Sequence, residues 1–366
     1  MPKGTKVISK MSFASTARQL CAKRYNQNMA KQHDLTFHTS TAEAGSTLAQ
    51  ALRHWQPGYS WSEVRHWIAS RKVQVNGNLC LDPARRLKEG EVVKWLVHAL
   101  PAPPEPDQLK LRYIDEHLLV VEKPAGVTTM RHPEERFWPD RRKQKQHTLD
   151  EMLQKLVEQH GRRTSRRAHK PWQRVRPVHR LDRDTSGLMV FARTVEAERH
   201  LVKQFAAHAI HRLYQAVVIG QLKEPQTIRS RLVRDRGDGR RGSTTDPNEG
   251  QMAVTHIKPL RILRDYTMIE CRLETGRTHQ IRIHLAEAQH PVCGEPIYMK
   301  PLHGPARSDP SGAPRLALHA AELGFEHPVT GQPLRFAMPW PADLSRWWEK
   351  LVQHHEANSG KAKPSG

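Results

Sequence analysis

Hydrophobic positions in the first part of the chain repeat at helical spacing and then switch to alternation. Leu48, Leu52 and Trp55 fall on one helical face, and behind Ser62 so do Val64, Trp67 and Ile68, which predicts two short helices. Val73-Gln-Val75 alternates into the turn pair Asn76-Gly77, and Gly90-Glu-Val-Val-Lys-Trp95 supplies a second short strand. Residues 45–98 therefore read as a small α+β module. Residues 1–44 hold no sustained apolar period and run into the small, polar stretch Thr41-Ala-Glu-Ala-Gly-Ser-Thr47, so they predict a basic, disordered leader outside any core.

Pro101-Ala-Pro-Pro-Glu-Pro106 is stiff and short of backbone donors, which places a linker over residues 99–110. A larger unit, 111–350, opens with the apolar run Leu118-Leu-Val-Val121, stopped by Lys123-Pro124-Ala-Gly126. Between Arg131 and Arg176 lies a basic insertion with Arg162-Arg163 and Arg166-Arg167, a candidate contact for a polyanion, and within it a helix is expected from Asp150 to Gln159 behind a Thr148 cap. Further strands are expected at Leu188–Ala192, Tyr214–Ile219 and Met268–Leu273, with a helix at Glu196–Ala207. Residues 235–250, rich in glycine, predict a polar loop of a kind seldom buried, and 351–366 a disordered tail.

Charge narrows the class of partner. Lys and Arg total 59 against 37 Asp and Glu in 366 residues, a formal +22, so the molecule attracts polyanions and nucleic acid is the partner to test first. Charge alone does not separate RNA from DNA. Cys21, Cys80, Cys271 and Cys293 lie far apart with no CxxC pair, which suggests neither a zinc site nor a disulfide framework. No apolar run approaches the ~20 residues a spanning helix needs, so no membrane is expected. The first 33 residues carry seven lysines and arginines and no acid. They read as a basic arm of a cytoplasmic protein, with a mitochondrial transit peptide as the alternative.

Reactive side chains concentrate in two places. His179-Arg180-Leu181-Asp182-Arg183-Asp184-Thr185-Ser186-Gly187 is a polar loop just before an apolar strand. Arginines on both sides of Asp182 favour its ionised form, and an anionic carboxylate acts as nucleophile or base; on spacing alone a surface salt-bridge loop accounts for the same residues. The second cluster is Glu274-Thr275-Gly276-Arg277-Thr278-His279-Gln280-Ile281-Arg282-Ile283-His284-Leu285, a strand–turn–helix start that Thr275 or Thr278 would cap. Arg277 and Arg282 at such a helix start suit a phosphate or a paired carboxylate. His279 and His284 stand five apart, off a shared helical face and without a third ligand nearby, so no metal is expected.

These motifs carry a resemblance. The first looks like the "H-R-L-D-x-x-T-S-G" signature of the RluA-type pseudouridine synthases, and the second like their "L-x-T-G-R-T-H-Q-I-R-x-H". Val121-Glu-Lys-Pro-Ala-Gly126, Tyr214-Gln-Ala-Val-Val218, His290-Pro-Val-Cys-Gly294, Leu318-His-Ala320 and Phe325-Glu-His-Pro-Val-Thr-Gly331 match as well, so the resemblance spans about residues 46–345. The stretch Ser62 to Trp95 resembles the S4 RNA-binding domain, in which Arg65, Arg71 and Lys72 would meet phosphates; a solvated basic helix face is the alternative, and Trp67 is either core or a stacking surface. The fold implied is α+β: a mixed, mainly antiparallel sheet with flanking helices, plus the small S4-like domain.

The resemblance implies residue roles. Asp182 stands as the catalytic carboxylate, Tyr214 as the active-site tyrosine and Arg277, in preference to Arg282, as the basic partner of the Asp. Arg180 is implied to hold the RNA open when the base leaves its stack, Ile281 to pack near the base, and Arg183 and Arg282 to contact RNA. One departure is Arg212-Leu213-Tyr214, where the family has Lys-x-Tyr, so a guanidinium fork replaces a compact ammonium.

The implied reaction breaks the C1′–N1 bond of uridine, rotates the base and rejoins it through C5, with no cofactor and no metal. Large-subunit (23S-type) rRNA is the first expected substrate and tRNA the second, for an enzyme acting as a monomer. Two competing readings are a non-catalytic RNA-binding protein of the same fold and a glycosidase-like hydrolase using Asp182 and Asp184.

Overall fold

The computed structural model describes residues 34–360 apart from 101, 103–104, 132–134, 136, 138–142, 144–145, 165–173, 301–304 and 306. Residues 1–33 of the leader expected over 1–44, the pair Arg166-Arg167 and residues 361–366 of the tail lie outside these. Compact contacts divide the chain into two units, Met1–Pro101 and Ala102–Gly366.

In the smaller unit, strand β1 (Leu35–His38) precedes helices α1 (Leu48–Trp55) and α2 (Trp61–Ala69), then β2 (Val73–Val75), β3 (Asn78–Leu79) and β4 (Val92–Trp95), in an antiparallel sheet ordered β1-β4-β2-β3. Both helices start on capping boxes, Thr47 with Gln50 and Ser60 with Glu63, which satisfy backbone donors in the first turn. The second box starts α2 ahead of Ser62. Asn76 and Gly77 both take positive φ, 51° and 73°, as a two-residue hairpin turn demands. Trp67 is core: it stacks on Trp95 at 3.9 Å and meets Tyr59 edge-on. Arg65 stands exposed on α2 and Lys72 is half-buried. Arg71 follows α2 in a left-handed conformation and donates from Nε to Leu100 O at 3.0 Å. The expected leader ends sooner than residue 44, because β1 pairs with β4 and Phe37 stacks on Trp55 at 4.8 Å.

The larger unit is built on one long sheet. Its strands are β5 (Leu111–Ile114), β6 (Leu118–Lys123), β7 (Arg176–Pro177), β8 (Ser186–Ala192), β9 (His211–Ile219), β10 (Gln226–Val233), β11 (Gly242–Thr244), β12 (Gln251–Ile262), β13 (Tyr266–Leu273), β14 (Leu318–Glu326) and β15 (Pro333–Ala337). Their order is β11-β10-β12-β13-β9-β14-β8-β6-β5, with β15 on β14 and β7 on β8. Neighbours run antiparallel except β14 and β8, which are parallel. Helices α3 (Leu149–Thr164), α4 (Val195–Ala206), α5 (Gln280–Glu287) and α6 (Ala342–Gly360) flank it. One core packs α3, α5 and α6 residues such as Met152, Leu285 and Trp347 with β6, β8, β9 and β13; a second packs α4 with β6, β8 and β14. Among the described residues no helix is long and apolar enough to cross a membrane.

Four expectations change in this unit. Leu109, expected in the linker, is buried in the core. In the basic insertion, Arg131 turns inward to a bidentate pair with Glu151 (2.5 and 2.7 Å), so this arginine fixes α3 rather than meeting solvent. Within 235–250, β11 pairs with β10, and the Arg236 side chain is nearly buried on Asp238 and Lys300 O. The tail expected to start at residue 351 is helical as far as Gly360.

The parallel contact sets the geometry that follows. Gly187 has φ 133°, and a Cβ there would lie 2.3 Å from Ala320 O, so only glycine lets β8 and β14 approach at that point. Replacing Gly187 by Ala is expected to destabilise the fold by about 2–4 kcal/mol, measured as a lower urea midpoint with an unchanged slope.

Candidate active site

Asp182 sits on the loop that feeds β8, and the loop is fastened on both sides of it. Lys123, fully buried at the end of β6, donates from Nζ to three carbonyls, Pro124 O (2.9 Å), Arg183 O (2.9 Å) and Thr185 O (2.8 Å). Burial presses the Lys123 pKa down to about 7 against the pull of Asp184 and Asp182. On the other side Thr129 Oγ1 donates to Leu181 O at 2.9 Å. Arg183, expected to face RNA, is buried and donates from Nε to Gly126 O at 3.0 Å, while Gly126 N donates back to Arg183 O at 2.8 Å. Asp182 to Thr185 form a turn closed by Thr185 N donating to Asp182 O at 3.2 Å, and Arg183 within it is buried, so it braces the loop.

The basic partner of Asp182 is Arg282, not Arg277. Arg282 Nη1 donates to Asp182 Oδ2 at 3.3 Å, and its remaining donors form a bidentate pair with buried Glu295, Nε to Oε2 at 2.8 Å and Nη2 to Oε1 at 2.7 Å. The phase of α5 explains the exchange. Arg282 lies in the first turn of that helix with its side chain 5% exposed, whereas Arg277 lies on the preceding turn and donates from Nε to Met252 O at 3.1 Å. Nor does Thr275 or Thr278 cap α5. His279 holds the N-cap position at φ 60°, and Gln280 Oε1 collects Arg277 N and the Thr275 hydroxyl at 3.0 and 2.7 Å.

Burial pushes the Asp182 carboxyl up, but His279, Arg282 with its hydrogen bond, and Arg180 together outweigh it and hold it below the ordinary carboxylate value. His279, whose Nε2 stands 3.8 Å from Asp182 Oδ1, is pressed down to about 4 by its own burial. It is neutral at pH 7, so the standing positive charge beside Asp182 is that of Arg282. Burial disfavours that charge as well, but Glu295 and Asp182 more than restore it, and the guanidinium stays ionised. Tyr298 completes the group, with its OH 2.7 Å from His279 Nδ1 and its ring 5.3 Å from the Arg282 guanidinium.

Asp182, Tyr214, Ile281 and Arg282 line one cavity of about 520 Å³, with Arg180 and Arg277 among the other lining residues. Asp184 does not line it. Tyr214 is buried in mid-strand on β9, which raises its phenol pKa; Arg212 opposes this and Asp182 adds to it. The phenol is therefore protonated at neutral pH. His284 bridges α5 to the sheet, its ring nitrogens 2.9 Å from Thr255 Oγ1 and 3.1 Å from Ser230 Oγ. Among the described residues no group of three metal-ligating side chains gathers.

Glu295, Tyr298 and Lys123 escaped the sequence reading. Glu295 directly follows the matched stretch His290–Gly294, and a lysine closing an apolar strand before Pro-Ala-Gly was the available signal for Lys123.

An ionised carboxylate with a guanidinium partner, at the wall of a cavity in a mainly antiparallel sheet, defines a site for nucleophilic or base chemistry on a bound substrate. The segment 117–287 matches the family described as RNA pseudouridylate synthase, and 48–93 matches the S4 domain. Ribosomal large subunit pseudouridine synthase D of Xanthomonas campestris is 37% identical over 317 residues, covering 84% of this chain and 89% of that protein. The protein of the same name from Escherichia coli O157:H7 is 34% identical over 330 residues, covering 86% and 94%. Two solved human structures share the fold: RNA Pseudouridylate Synthase Domain Containing 4 (TM-score 0.51, 20% identity, 66% of this chain and 92% of that one) and Domain Containing 1 (TM-score 0.50, 21% identity, 73% and 100%). The chain belongs to the RluA-type pseudouridine synthases with an N-terminal S4 domain, and it is an isomerase.

The Arg282 couple yields a prediction. In Arg282→Gln, Glu295 stays buried without its partner, so stability should fall by about 3–5 kcal/mol. Because the carboxyl of Asp182 is depressed in the folded protein, activity that depends on its anion is lost only as pH falls through that lowered value. With Arg282 gone, burial prevails and the acid limb of the pH–rate profile should move to higher pH. A single-turnover profile of the variant superimposable on the native one would refute the pairing.

Proposed function

We propose that this protein isomerises uridine to pseudouridine in large-subunit ribosomal RNA, with Asp182 as the reacting carboxylate. The observation carrying the assignment of the residue is that Asp182 is held anionic by Arg282 at the wall of the cavity. Support for the substrate comes from the relatives of the same architecture, whose names state the large ribosomal subunit, and from the basic chain with its S4 unit.

Two charge-separated stages occur in this isomerisation: one when the C1′–N1 bond breaks and one when C5 rejoins C1′. A preorganised, largely dry site favours both. Asp182 either attacks the nucleoside or removes a ribose proton, and each route starts from the anion that Arg282 maintains. Tyr214, neutral at rest, offers its ring as a platform for the uracil; taking the C5 proton would require a drop in its pKa when substrate fills the cavity. Ile281 closes the apolar side and Arg180 stands exposed at the rim. A two-carboxylate hydrolase would need a second acid facing the same cavity, and among the described residues Asp182 is the sole carboxylate lining it.

Replacing Asp182 by Ala should abolish pseudouridine formation on unmodified large-subunit rRNA while RNA affinity stays within about threefold, since the charge is removed at one point of a wide basic surface. Unchanged isomerisation would sink the assignment. Pseudouridine mapping in cells with and without the gene identifies the position; a loss confined to tRNA would instead favour the tRNA reading.

A further inference from the structure

Part of the lining of the cavity that holds Asp182, a lobe for brevity, is given no role by the isomerisation of one uridine. Its walls are the last turns of α4, where Val202, Phe205 and Ala206 share a face, together with Arg212 on β9 and the turn Gly276-Arg277. Val202 is 46% exposed and Phe205 half-buried, so an apolar shelf lies open beside the catalytic group. One face of Phe205 is backed by the His179 ring, stacked at 4.6 Å, which fixes the shelf in place.

Arg212 is the polar member of this lobe, and its donors are poorly used. Its Nε is enclosed with no partner, and Nη2 makes only long bonds of 3.4 Å, to Leu273 O and Glu274 O. The guanidinium lies 5.7 Å from the Phe205 ring centroid, and a Cβ at Gly276 would come within 2.9 Å of Nη1, so the glycine leaves the fork its room. Arg212 and Tyr214 are two residues apart on β9 and present to the same side of the strand, roughly 7 Å apart along it, a separation that suits successive units of an extended RNA strand. Among the described residues four arginines, Arg180, Arg212, Arg277 and Arg282, line the cavity against one carboxylate, Asp182. Asp182 is already partnered by Arg282, so Arg212 is left for an anion brought by the substrate.

We infer that this lobe is a subsite for the nucleotide adjoining the target uridine, in which Arg212 grips the intervening phosphodiester and the Val202–Phe205–Ala206 shelf receives the neighbouring base. The inference rests on the proposed isomerisation of uridine in rRNA. A planar fork binds phosphate oxygens in pairs where an ammonium binds as a point, which gives the Arg212-Leu213-Tyr214 departure a physical purpose. Apolar and aromatic surfaces accept any base face, so the subsite positions the strand without demanding one sequence.

Phosphate-ethylation interference tests this directly. Unmodified large-subunit rRNA transcript, randomly ethylated on its phosphates, is treated with the full chain, and molecules that acquire pseudouridine are separated from those that do not. With the native protein, ethylation at a phosphate adjoining the target uridine should block conversion; in Arg212→Met that one position should lose its sensitivity while the others persist. A second variant, Val202→Glu, alters an exposed side chain outside the reacting group and should raise KM by about tenfold with kcat within about twofold. If the native protein forms pseudouridine and the Arg212→Met interference pattern equals the native one, or Val202→Glu behaves as native, the subsite is wrong and the function stands. If the native protein forms no pseudouridine in this RNA, the rRNA reading falls and the subsite with it.

Discussion

Everything in the catalytic unit turns on keeping one carboxylate charged where water is scarce. Burial strengthens the electrostatic control of a site, yet the same burial drives Asp182 toward its neutral acid. Arg282 resolves the conflict, and the way it is shared matters. Its two short bonds go to Glu295 at 2.7 and 2.8 Å, and its single longer one, 3.3 Å, to Asp182. Glu295 therefore holds the guanidinium in place, while Asp182 receives enough positive potential to stay ionised but is not locked into a bidentate pair. Two acids around one arginine leave the cluster with a net negative charge, as the proposed role of Asp182 requires. Pairing Arg282 with Asp182 alone would satisfy the anion and blunt it.

Holding the carboxylate in place needs a rigid loop, and polar atoms rather than apolar packing supply it. The Lys123 ammonium gathers two carbonyls that follow Asp182, those of Arg183 and Thr185, and that of Pro124, a task for which its three donors suffice only when it is protonated. Arg183 and Thr129 tie the same segment to the turn after β6. Directly beyond, Gly187 permits the close parallel contact with β14. The loop thus has its entry and exit fixed by side chains of β6 and its neighbouring turn, and its continuation fixed by backbone approach, which leaves Asp182 at a set height in the cavity wall.

Much of this was legible in the residues. Alternation and apolar runs located β6, β8, β9 and β13 to within a few residues, because strands covered on both faces are rich in Val, Ile and Leu. Spacing alone left Asp182 open between a surface ion pair and a reactive anion, and of its two flanking arginines only Arg180 acts on its charge. The choice between Arg277 and Arg282 was not legible, since it depends on where α5 begins: His279 starts it in a left-handed conformation without a hydroxyl cap, and that start turns Arg282 into the core. β1 escaped because four residues, Leu35–His38, between polar neighbours gain their order from pairing with β4, a partner more than fifty residues on. Arg183 misled because charge suggests solvent, while the turn from Asp182 to Thr185 buries it against the carbonyl of Gly126, a partner that sequence does not reveal.

Buried histidines set the conditions under which this arrangement holds. Burial, joined by nearby Arg212, takes His179 down to about 3, and burial takes His284 and His319 to about 4, each through a ring enclosed in the fold. An unfolded chain takes up these protons near the ordinary value of 6.5, whereas the folded chain refuses them until pH 3–4. Between those limits unfolding gains protons, so each of these rings withdraws stability as pH falls below 6.5. Asp182 works in the opposite sense, because its depressed carboxyl adds stability above the unfolded value that is lost only at still lower pH. The carboxylate is thus still charged in an acid range where the histidines have already weakened the framework around it. The fold thus loses stability through its histidines in a range where Asp182 keeps its charge, and removal of Arg282 acts on both, lowering stability and moving the titration of the carboxyl upward.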